Sequence, residues 1–336
     1  MTTSEANSSI HKNRHQFLFG FVFSQNRVLG IILLLVSFFN PVSGFAGLSC
    51  VIFSLLITKL LKQDNEDYRV GIYSFNCLLL GIAFGAFFQV NLMFVTWLAV
   101  ACCLVVLATI IMSKRMGKPG LPILSLPFIL VFWLVLLASN SIFNTGLSQK
   151  SSSLLEEIYT GPGNLAGAEG YLATTLPKLM SLFFRSLSAI LFQHNIIAGM
   201  LIAMGILVHS RIAFSLLIIS FLTACGFNNI THTYPEGISY YHLGANLMMA
   251  SMAISSFFTI PSLRSYLLAI LCIPLGFILI NALTTLMALH ALPVFSLPFC
   301  VLNISLLYFL KLTGHHPKLQ LTIAQHYSPE KIFTMF

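Results

Sequence analysis

Leu121-Pro122-Ile123-Leu124-Ser125-Leu126-Pro127-Phe128 returns 171 residues later as Leu292-Pro293-Val294-Phe295-Ser296-Leu297-Pro298-Phe299, with six of the eight positions identical. Each copy lies in an apolar run and sets one serine between two prolines. A proline removes a backbone donor and frees a carbonyl further back in a helix. In lipid a freed carbonyl needs a partner, so broken backbone at membrane depth is tolerated only inside protein or beside a water-filled cavity. Two copies of the motif predict two broken helices facing one site.

Working outward, more of the chain repeats at nearly the same offset. Phe23-Ser24-Gln25-Asn26-Arg27-Val28-Leu29-Gly30 aligns with Phe192-Gln193-His194-Asn195-Ile196-Ile197-Ala198-Gly199 at an offset of 169. Phe75-Asn76-Cys77-Leu78 aligns with Ala245-Asn246-Leu247-Met248 at an offset of 170. Three pairs in one order predict two copies of a unit of roughly 120 residues, the internal-repeat design of transporters.

Composition sets the environment. The chain has 336 residues, 57% hydrophobic and 8% charged, with mean hydropathy +0.90. Soluble domains carry about 25% charge, so this is an all-α polytopic membrane protein whose surroundings are the lipid bilayer. The formal net charge of +8 sits in short basic clusters between apolar runs. That pattern is read as membrane topology and not as nucleic-acid binding, because basic loops stay on the cytoplasmic side. The polar start with Lys12 and Arg14 precedes an apolar run broken at Ser24–Arg27, and no removable signal peptide is expected. Cys50, Cys77, Cys102, Cys103, Cys225, Cys272 and Cys300 lie in apolar runs without metal-ligand spacing, so buried free thiols are expected.

A span needs about 20 mostly apolar residues. Candidate runs lie near Val28–Gly44, Phe45–Leu61, Val70–Gln89, Leu92–Met112 and Pro122–Ser139, preceded by the short Gln16–Phe23. The second half gives Ile196–Val208, Ile212–Cys225, Tyr240–Phe258, Tyr266–Leu286 and Pro293–Leu312, preceded by the short Leu182–Phe192. Each half therefore reads as five spans plus one re-entrant half-helix, ten spans in total. An odd number of spans turns the second copy over, which gives two inverted repeats with a pore at their interface. The expected division is a cytoplasmic tail at 1–16, a first repeat at 17–139, an extracytoplasmic linker at 140–179, a second repeat at 180–313 and a cytoplasmic tail at 314–336. The linker is Ser- and Gly-rich and holds Lys150 against Glu156, Glu157 and Glu169. Lys59, Lys62, Arg69, Lys114, Arg115 and Lys118 fall on the inner side in this layout, together with Lys318, Lys331 and both termini.

No nucleophile–base set, carboxylate pair, phosphate loop, metal cluster or cofactor motif appears, so no enzyme, metal or cofactor is expected. Ion coupling would call for a buried ionisable group within a span, and none stands out. His194 reads as a member of a polar network. The expectation is a passive route for a neutral polar solute, with Ser125 and Ser296 supplying hydroxyl oxygens beside carbonyls freed by Pro122, Pro127, Pro293 and Pro298.

The doubled motif resembles that of the urea transporters, which carry Leu-Pro-x-x-Thr-x-Pro-Phe once per half together with a Phe-Asn pair. The resemblance covers both halves. It implies channel-like permeation of urea through a narrow slot, in which apolar side chains face the flat molecule and a ladder of oxygens takes its N–H groups. Residue by residue, it implies that Ser125 and Ser296 contact urea at the centre. It implies that Phe23 and Phe192 follow the half-helix turns, and that Phe75 and Leu79, with Ala245 and Met249 in the second half, line slots. Asn76 and Asn246 are expected to brace backbone. A homotrimer in the inner membrane is implied as well. This chain departs from the family at the serines, at Ala245 where a phenylalanine is expected, and at Gly20 and Ala189 where the family often has Gln or Glu. Those departures leave two alternatives open: a channel for another small neutral solute (a short amide, ammonia or water), and a non-conducting membrane sensor or scaffold.

Overall fold

The computed structural model describes residues 27–61, 72–141, 146–150, 163–234, 239, 242–313 and 330. The described elements are helical; the one β feature is an isolated antiparallel bridge between Phe88 and Gln149. In the first half these are α1 (Arg27–Ser37), α2 (Pro41–Leu60), α3 (Ile72–Phe87), α4 (Leu92–Gly117) and α5 (Leu126–Ser141). Next come α6 (Gly163–Thr175) and α7 (Lys178–Ser188), the latter extended by a tight turn over Ala189–Leu191. The second half continues with α8 (Ile196–His209), α9 (Arg211–Thr231), α10 (Leu243–Phe258), α11 (Leu263–Ala288) and α12 (Leu297–Leu312).

Helices α1–α5 recur in order as α8–α12, their first residues 169 to 171 apart. Both α4 and α11 have 26 residues, and both α5 and α12 have 16. The caps recur too. Asn40 Oδ1 accepts Ser43 N–H at 3.2 Å to start α2, and Ser210 Oγ accepts Ala213 N–H at 3.0 Å to start α9. Asn91 and Ser262 do the same for α4 and α11. Each side-chain oxygen satisfies a donor that the first helical turn leaves without a partner. These caps also correct a boundary. Hydropathy places the first division at Gly44/Phe45, whereas α1 ends at Ser37 and α2 begins at Pro41, because Asn40 caps and Pro41 suits a first turn where no N–H is needed.

The surface is that of a membrane protein. Leu92, Val95 and Val100 on α4, with Leu263, Leu267 and Ile278 on α11, point outward and are more than half exposed. Apolar faces this broad have no place in water. Helices α2, α4, α9 and α11 are long and apolar enough to cross a bilayer. Helices α7 and α8 form a broken pair bent by 82°. The segment between the halves, read from sequence as a Ser- and Gly-rich linker, contains helix α6. Its earlier part lies across the end of α3: Gln89 N–H donates to Ser148 O at 2.9 Å and Lys150 N–H to Phe87 O at 2.9 Å.

Close backbone contact holds the second half together. A Cβ on Gly244 of α10 would collide with the Ser186 carbonyl of α7, so only glycine lets these two helices meet. Helix α10 is itself underwound, with π turns over Leu243–Met248 and Ala253–Phe258. Its counterpart α3 is an ordinary α-helix. Such π turns occur often at functional sites.

Candidate functional site

The two proline motifs fold alike. Both run irregularly out of the preceding helix, pass through a left-handed residue and enter a short helix. Leu124 has φ 51 and Phe295 has φ 50, and both lie one residue before the motif serine. Three residues further on in each copy, Pro127 and Pro298 occupy the first turn of α5 and α12, where a missing N–H costs no hydrogen bond.

A left-handed leucine or phenylalanine is strained by about 1–3 kcal/mol and persists only when its surroundings over-determine it. The asparagines supply that restraint. Asn76 Nδ2 donates to Leu124 O at 3.2 Å, while Asn76 Oδ1 accepts from Phe128 N at 3.3 Å. Asn246 Nδ2 donates to Phe295 O at 2.9 Å, and its Oδ1 accepts from Phe299 N at 3.2 Å. In each half one buried amide thus spans the break, from the strained carbonyl to the first turn of the next helix. Carbonyls elsewhere in the breaks have partners as well. Trp133 Nε1 donates to Pro293 O at 2.8 Å, and the Lys311 ammonium donates to Pro119 O at 2.8 Å. These carbonyls are therefore already engaged by side chains, with one lone pair each left for anything else.

The serines stand where the motifs meet. Ser125 Oγ lies 2.8 Å from Ser296 Oγ, and 3.2 Å from Cys300 Sγ. Ser296 opens α12 without spending its hydroxyl on a cap. Both serines line a cavity of about 40 Å³ whose other walls are Phe75, Leu79, Phe128, Ile190, Phe192, Ala245, Met249 and Phe299. At about 10–15 Å³ per water, that is room for two to four waters, the scale of one very small solute. No charged side chain lines it. A second cavity of about 30 Å³ shares Ile190 and Met249 with the first and runs on to His209 and Phe257.

Seven of the eight residues singled out from sequence as lining slots therefore border one cavity. The eighth, Phe23, lies outside the described residues, as does Gly20. Phe192 is itself left-handed (φ 57), at the turn between α7 and α8, and its ring meets that of Phe295 at 5.5 Å. Sequence reasoning missed Phe128, Phe299 and Ile190. The first two end the doubled motif, and identity at that position was a signal that could have found them. Ile190 carried none.

The cysteines form no disulfide among the described residues; five are buried, and Cys103 and Cys225 are half-buried. No group of ligating side chains among the described residues could hold a metal ion.

An all-helical membrane protein with a repeated half, in which two copies of one proline motif meet at a small neutral cavity, has the architecture of a transporter of small solutes. The chain belongs to the urea transporter family: the family model described as "Urea transporter" matches residues 20–311. The protein is accordingly a membrane-embedded transporter of urea and not an enzyme.

Proposed function

We propose that the cavity bordered by Ser125 and Ser296 is the selectivity filter of a passive urea channel. The observation that carries this reading is the meeting of the two motif serines, 2.8 Å apart, on a cavity whose other lining side chains are apolar. Urea is flat and neutral, with one acceptor oxygen and four N–H donors. Aromatic and aliphatic walls suit its faces; two hydroxyls, each able to donate and accept, suit its edge. The lining holds no charged side chain to pair with a co-transported ion. Solute moves down its gradient, and Phe75, Leu79, Phe192, Ala245 and Met249 set the thickness that passes.

The layout that serves this function is ten spans in two inverted repeats, divided at the linker, with both termini cytoplasmic in the inner membrane. Contacts support it, because segments that the layout puts on one side touch each other. The linker pairs with the α3–α4 turn outside. Inside, Glu330 accepts from Ser210 Oγ and Ile212 N at 3.0 Å each at the α8–α9 turn, and Lys311 reaches Pro119. The family resemblance supports a homotrimer with one pore per subunit. The test of function is urea flux into proteoliposomes by light scattering. Flux well above that of empty liposomes is expected, and none would sink the proposal.

A second reading, a channel of broader preference, is favoured by Ala245 standing where Phe75 stands in the other half. Comparable acetamide and urea fluxes would establish it.

A further inference from the structure

We propose that Glu169, on the helix between the two repeats, is a positioning residue that latches the α7–α8 break and so fixes Ile190 and Phe192 at the cavity wall. Its consequence for flux rests on the channel reading above.

Between α7 and α8 the chain turns by 82° and passes through left-handed Phe192. The N–H groups at the start of α8 need acceptors. Asn195 Oδ1 takes those of Ile197 at 2.8 Å and Ala198 at 3.2 Å. The Ile196 N–H is taken by Glu169 Oε2 at 2.7 Å, and the other carboxylate oxygen takes Arg185 Nη2 at 3.1 Å. Arg185 lies in the last turn of α7 and Ile196 is the first residue of α8. One carboxylate therefore holds both sides of the break from a third helix. The polarity suits it at each end, because a helix N-terminus favours the anion and a helix C-terminus the cation. Glu169 is 8% exposed. Arg185 is half-buried, so the buried bond from Ile196 N–H to the carboxylate is the tighter of the two holds; without Glu169 that buried N–H loses its acceptor. The constraint reaches the cavity along the chain. Ile190 and Phe192 lie inside the latched segment, and Phe192 packs against Phe128 at 6.0 Å and Phe295 at 5.5 Å. Helix α6 thus acts as part of the second half and not as a spacer.

Two measurements on the full-length protein test this. Amide exchange over residues 192–198 should quicken about tenfold in Glu169→Ala, the scale of losing a hydrogen bond to a charged group. Glu169→Gln keeps an acceptor for Ile196 but not the charge; it should fall between wild type and alanine, and it serves if the alanine variant does not fold. In proteoliposomes both variants should pass methylurea more readily relative to urea, about threefold for alanine, a ratio that a mere loss of active protein leaves alone. Unchanged exchange would overturn the latch. Faster exchange with an unchanged flux ratio would overturn its hold on the cavity wall. Should wild type carry no urea, the channel reading fails instead, and exchange alone still decides the latch.

Discussion

Replacing Asn246 by leucine removes one amide and nothing else of similar size. In the native fold that amide donates to Phe295 O and accepts from Phe299 N. The residue is 2% exposed, so water does not easily take over. Stripping a buried polar group of its partner costs about 1–3 kcal/mol. Two such groups put the loss at about 2–6 kcal/mol, on top of which left-handed Phe295 loses its restraint. Phe295 is followed directly by Ser296, so relaxation of the strained residue rotates the hydroxyl away from Ser125. We predict a lowered unfolding temperature in detergent and a fall in urea flux of at least about tenfold, which needs only about 1.4 kcal/mol at the barrier. Asn246→Asp separates the two bonds, because it keeps an acceptor for Phe299 N but sets an oxygen against the Phe295 carbonyl; it should be impaired as badly as leucine. Asn76→Leu should reproduce the defect through Leu124. Thermal stability is read by fluorescence-detected chromatography and flux by stopped-flow light scattering. Wild-type stability and flux in Asn246→Leu would refute the claim that the amide holds the break.

Ser125→Ala and Ser296→Ala should each slow urea entry several-fold in folded protein, and wild-type flux in the double variant would remove the serines from the mechanism. Ala245→Phe should narrow a cavity of about 40 Å³ and reduce methylurea flux more than urea flux; equal effects on both would mean that this side chain does not set the slot. Ser148→Cys should react with an impermeant thiol reagent from outside and Thr313→Cys from inside, both residues being exposed. Reaction of both from one side would overturn the inverted layout.

The sequence alone was enough to determine the solvent, the repeat and the place of the breaks. Lipid is legible because it demands long uncharged runs, and the 171-residue echo of the proline motif is legible because proline removes a donor wherever it stands. Seven cavity residues were named from the repeat and the family resemblance, since the motif carries its own register. Tertiary structure decided what depends on helices crossing. It brought Ser125 within 2.8 Å of Ser296 across 171 residues of chain, turned the freed carbonyls of Leu124 and Phe295 toward asparagines on other helices, and wound α10 into π turns where α3 is regular. It also drew Glu169 out of an apparent linker and into the α7–α8 break. Hydropathy could not foresee that, because a carboxylate's partners are set by which backbone donors the folded chain leaves unpaired nearby, and those exist only once the helices have ended and packed.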